Sequence, residues 1–180
     1  STTSFWTINS GGALSFVTAG SWTLNADQAG YAAFLPAPQV SQSFTVNPVV
    51  PGAPTIGTAT AGDTQASVAF TAPTNAGGTS ITGYTVSVFP PDVAPVNGAS
   101  SPIVVTGLTN GQAYTFTVTA TNVAGTGAAS AASNSITPAA TQTITFASPG
   151  AQNFGTAPTL TATSDSGLTV TFTSSTTGVC

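Results

Sequence analysis

The sequence contains no lysine, arginine or histidine. Glutamate and methionine are missing as well, and four aspartates (Asp27, Asp63, Asp92 and Asp165) carry the whole formal charge of −4. Charged residues make up 2% of the 180 positions, against about 25% in ordinary soluble proteins. Each absence removes a class of function. Nucleic-acid binding needs cations to neutralise phosphates, so that partner is excluded. Attraction to anionic lipid fails for the same reason. No apolar run approaches the roughly 18 residues of a membrane-spanning helix, so no membrane insertion is expected. A basic leader segment is not visible; a secreted chain after processing and an internal piece of a longer chain both fit. A Ser-His-Asp set cannot be assembled, and a cysteine nucleophile would have no base. Zinc needs Cys/His clusters that do not exist here. Asp27 in "NADQAG" and Asp165 in "SDSG" read as solvated turn carboxylates, not as calcium ligands or paired catalytic acids. No catalytic residue, metal or cofactor is therefore expected, and the chain reads as a non-enzyme.

What remains is apolar and hydroxylic. Hydrophobic residues reach 41%, with 19 glycines, 13 prolines and abundant threonine. Threonine favours strands, while glycine and proline punctuate turns. In "AYTFTVTAT", Tyr114, Phe116, Val118 and Ala120 share one face and the threonines the other, the period of a half-buried strand. "GYTVSV" repeats this with Tyr84, Val86 and Val88, and "ASVAFTAP" with Val68 and Phe70. "APTIGTAT", "SPIVVTGL" and "SNSITP" complete a set separated by turn clusters such as "AGDT", "TNAGGTS" and "TNGQ". Such regularity opposes disorder. It predicts an all-β chain with a sandwich in its middle third to half.

That middle, residues 51–139, resembles a fibronectin type III domain. "PGAPTI", "SVAFTAPTNAGGTSITGYTVSV" and "VTGLTNGQAYTFTVTATNVAGTGAAS" carry the likeness. The resemblance implies a tyrosine corner at Tyr114, with Leu108 upstream, and places Phe70 where the family commonly has tryptophan. The Arg-Gly-Asp tripeptide of integrin binding is absent, so the likeness implies a fold without that adhesive role.

Both ends also alternate. "QTITF", "PTLTATS" and "LTVTFTS" lie in residues 140–180; "FWTINS", "GALSFVTAG", "SWTLNA" and "SQSFTVN" lie in residues 1–48. Each end is near the lower limit for independent folding. The final "STTGVC" matches the initial "STTSFW", so that Ser175 stands where Ser1 stood, a period of 174 residues. Read in the order 140–180 then 1–48, the two ends resemble one bacterial immunoglobulin-like repeat of large secreted surface proteins. The domains expected are thus 1–48, the later half of a repeat; 49–139, the fibronectin type III domain; and 140–180, the earlier half. The repeat resemblance implies paired cysteines where Trp6 and Trp22 stand, so an aromatic pair would replace a disulfide. Cys180 aligns with Trp6. It either forms an inter-subunit disulfide or is a buried, inert cysteine, the second preferred.

The fold class expected is therefore all-β, with a split immunoglobulin-like sandwich completed by a neighbouring copy. Phe16, Trp22 and Phe44 would form an assembly interface with Leu168, Val170 and Phe172, and Trp6 would meet Cys180 between subunits. The function expected is structural: a period of an extracellular filament or cell-surface stalk, joined to copies of itself as a tandem array or by strand complementation. Edge strands without lysine fit that reading. The alternative is a carbohydrate-binding or spacer module of a secreted polysaccharide-degrading or adhesin protein, with glycans stacking on Trp22, Tyr31 and Phe34. The three prolines of "NPVVPGAP" predict a stiff junction before the central domain.

Overall fold

The computed structural model describes residues 6–8, 14–29, 32–33, 35–153, 155 and 158–173. All regular elements among them are strands. The chain divides into two compact units, Ser1–Ala139 and Ala140–Cys180.

The first unit begins with two hairpin-like pairs. Strand β1 (Trp6–Ile8) pairs with β2 (Leu14–Phe16), and β3 (Gly20–Gln28) pairs with β4 (Ala37–Val46), both antiparallel. A sandwich follows. One sheet holds β5 (Thr55–Ala61), β6 (Gln65–Thr71) and β9 (Ile103–Thr106) in the order β5-β6-β9. The other holds β7 (Gly83–Phe89), β8 (Val96–Gly98), β10 (Thr115–Asn122) and β11 (Gly125–Thr126) in the order β11-β10-β7-β8.

The period-two pattern explains why the sheets face each other. Phe116, Val118 and Ala120 of β10 are buried opposite Val88, Val86 and Tyr84 of β7 on the same ladder. Val68 and Phe70 of β6, with Ile103 and Val105 of β9, close the core from the other sheet. Each large side chain buried this way contributes about 1.5–3 kcal/mol. Phe70 is almost fully enclosed and lies 4.7 Å from the Tyr84 ring, so phenylalanine fills the place that the resemblance gave to tryptophan. Leu108 and Tyr114 are both buried. The Tyr114 hydroxyl accepts from Thr109 N at 3.1 Å and donates to Asp92 Oδ2 at 2.7 Å, which is the expected corner.

One expected strand takes another form. "SNSITP" makes only an isolated bridge between Ile136 and Tyr114. Upstream of it, Ser130 N and Ser133 N donate to Val118 O and Phe116 O. The hydroxyls of the same two serines accept from Val118 N and Phe116 N, both at 3.0 Å. Side-chain oxygens thus replace backbone carbonyls, and the regular ladder is lost although β10 is satisfied.

The second unit contains β12 (Ile144–Phe146) paired with β13 (Ala162–Ser164). The expected strand "LTVTFTS" is not formed among its described residues. Period-two alternation specifies a face, whereas a strand also needs a neighbour for its ladder. None of the described residues of this unit supplies one.

Candidate assembly site

In the ribbon formed by β3 and β4, Trp22 sits directly opposite Phe44. The turn after β2 brings the Phe16 ring onto the same face. It lies 5.3 Å from Phe44, edge-on at 67°, and 6.0 Å from Trp22 at 40°. Three of the expected interface residues therefore form one aromatic cluster, flanked by half-buried Leu14, Leu24 and Val46. The opposite face is polar: Thr23 and Ser43 hydroxyls are 2.8 Å apart, and Ser41 Oγ donates to Asn25 Oδ1 at 2.6 Å. This is the signature of a sheet built to be covered on one side. Yet the described apolar side chains of residues 14–46 are at best half-buried, while those of the sandwich core are enclosed.

The second unit shows a comparable surface. Phe172 packs on Phe146 at 5.4 Å between ring centres. Leu168 remains 64% exposed, Ile144 59% and Phe172 46%, and Val170 is half-buried. Ile144 and Phe146 alternate in the sequence with the same period, a signal the interface expectation did not use. Asp165 is exposed and receives Thr143 N on both carboxylate oxygens, at 3.0 and 3.1 Å, so it shapes the turn after β13.

Other sequence-derived candidates stand apart from this. Cys180, Tyr31 and Phe34 lie outside the described residues; Trp6 is placed through its backbone, which opposes Phe16. Trp22 is half-buried and tilted against Phe16, unlike a ring laid open for sugar stacking. Among the described residues no group of three acidic, histidine or cysteine side chains could hold a metal ion. A cleft of about 870 Å³ lies in the first unit between Phe16–Ala19, Val46–Val49 and the loop Thr74–Ser80, and its polar groups are hydroxyls, amides and backbone.

A sequence profile of the fibronectin type III domain matches residues 37–136, beginning in β4. No curated protein matches the chain. Among solved structures, it is similar to the rat CD45 extracellular region, domains d3–d4, at 20% identity and a TM-score of 0.52, covering 72% of this chain and 70% of that one. A fragment of titin domains is similar at 17% identity and a TM-score of 0.49, covering 77% and 50%. The twitchin kinase region from C. elegans is similar at 19% identity and 0.46, covering 50% and 17%. The chain thus spans 17% of the twitchin structure and half of the titin one. At 20% identity the likeness to the CD45 domains shows the fold alone.

Proposed function

This chain belongs to the fibronectin type III family, and on that premise we propose that it is a structural period of an extracellular filament or cell-surface stalk. Domains of this family serve as structural and spacer modules in multidomain proteins and are generally non-catalytic. One observation carries the reading: the sequence on either side of a finished sandwich core carries an apolar face that is left half-covered within its own unit.

In this reading the cluster Phe16–Trp22–Phe44 of one copy is completed by Leu168, Val170 and Phe172 of the copy before it. The segment from Leu168 to Thr173 has no ladder partner among the described residues of its own unit, which suits a donor strand. The contact is head to tail and heterologous, so it propagates without closing. Burial of each large side chain contributes about 1.5–3 kcal/mol before ordering costs. Covalent tandem copies and separate subunits satisfy the same geometry.

Two measurements test this. Sedimentation velocity over rising concentration should reveal an open-ended series of species; a monomer throughout would refute assembly between separate chains. A circular permutant reading 49–180 followed by 1–48 should unfold in two cooperative transitions. A single transition, from the sandwich alone, would refute the idea that the ends are halves of one domain.

A further inference from the structure

The stretch Asn47–Gly52 between the ribbon and the sandwich reads as a proline-stiffened spacer, but in the structure it is bound along its length. Val49 N donates to Gly77 O at 3.0 Å, and Gly52 N to Asn75 O at 2.9 Å. Val49 O accepts from Asn122 Nδ2 at 2.7 Å. Asn122 is only 4% exposed. Its Nδ2 also donates to Ala76 O at 2.9 Å, and its Oδ1 accepts from Ala124 N at 2.8 Å. The amide is thereby satisfied on both sides, as burial requires. Asn75 holds the facing loop, its Oδ1 accepting from Gly77 N at 2.9 Å.

The loop reaches the ribbon as well. Ala19 N, in the turn after β2, donates to Gly78 O at 2.8 Å. Gly77 and Gly78 both have left-handed backbones, with φ of +79° and +82°. A Cβ on Gly77 would overlap Val49 O, so glycine is needed there for close approach as well as for conformation.

We propose that the loop Thr74–Ser80, together with Asn122, is a docking site for the chain that precedes the sandwich, and that it holds the ribbon in one orientation. A single hydrogen bond would leave a pivot. Attachment at Ala19, Val49 and Gly52 removes it, and partial burial protects the Asn122 bonds from competing water. The ligand is backbone: an extended residue offering N–H and C=O to Gly77 and Asn122, and a second N–H to Gly78. The joint concerns contacts within one chain, so it stands or falls separately from head-to-tail assembly.

The test uses the full chain at a concentration where it is dispersed. Residual dipolar couplings of β3 and β4 amides and of sandwich amides should fit one alignment frame. The Ala19 and Val49 amides should exchange about tenfold or more slower than in an unfolded chain. Gly77→Ala should split the couplings into two frames and release both amides. Gly111→Ala is the control: its φ is +84° and a Cβ there meets nothing within 4 Å, so it adds strain without blocking an approach. It should keep one frame. Asn122→Asp, which preserves shape but turns an oxygen toward Val49 O, should reproduce the Gly77→Ala result and covers the case in which that variant fails to fold. Two frames in the parent chain, exchange at the unfolded rate, or parental couplings in a folded Gly77→Ala and in Asn122→Asp would overturn the proposal.

Discussion

Replacing Tyr114 by phenylalanine removes one oxygen from beneath the sandwich and leaves the ring in place. Tyr114 is 1% exposed, so its ring packing should survive. Two hydrogen bonds disappear, and they are unequal. Asp92 is exposed and recovers its partner from water. Thr109 N sits in a part-buried bond to the hydroxyl and loses its acceptor. An unsatisfied amide of that kind costs about 1–3 kcal/mol, and partial access to water places this one near 1–2 kcal/mol. For a domain of roughly 90 residues, that corresponds to a fall in Tm of about 4–15 °C. Calorimetry of the sandwich transition should show it, and urea unfolding should show a lower midpoint at unchanged slope. Asp92→Asn should cost less, because it removes charge and retains an acceptor oxygen. The reasoning fails if Tyr114→Phe melts within about 1 °C of the parent, or if Asp92→Asn proves the more damaging of the two.

Leu168→Ser and Phe172→Ser should each weaken association about tenfold or more by sedimentation while leaving the sandwich Tm unchanged; a lowered Tm would show that these side chains serve the sandwich instead. Gly127→Ala should destabilise the sandwich by about 1–3 kcal/mol in urea unfolding, since its Cβ would overlap Pro51 O. Trypsin should leave the chain intact by mass spectrometry, because no lysine or arginine exists to cut after.

The sandwich was legible because its strands bury one face each. Val118, Phe116 and Tyr114 sit two residues apart, and nothing but a half-buried strand has that period. The ribbon was legible for the same reason, and the meeting of Trp22 with Phe44 follows from two paired strands sharing an apolar face, to which β2 adds Phe16. The loss of a regular strand at "SNSITP", residues 133–138, was not legible, because a serine hydroxyl standing in for a carbonyl leaves no period. Nor was the fate of Leu168–Thr173: alternation names a face, while the ladder depends on a partner. The docking loop was hidden most deeply. Asn122 bonds Val49 from 73 positions away and Ala76 from 46, and the sequence shows only an asparagine at the end of a strand and glycines following an asparagine.

The edge lined by Ser130, Ser133 and Ile136 has a mechanical consequence. These three residues, three apart, meet Val118, Phe116 and Tyr114, which are two apart. Each step along β10 covers about 6.8 Å, yet the three residues beside it measure about 10 Å when straight. The segment therefore holds roughly 3 Å of spare contour length per step. Tension applied from its C-terminal side would have to open the bonds at Ile136, then Ser133, then Ser130, and each opening would release that spare length in one small increment. A polypeptide laced in this way gives a little before it breaks.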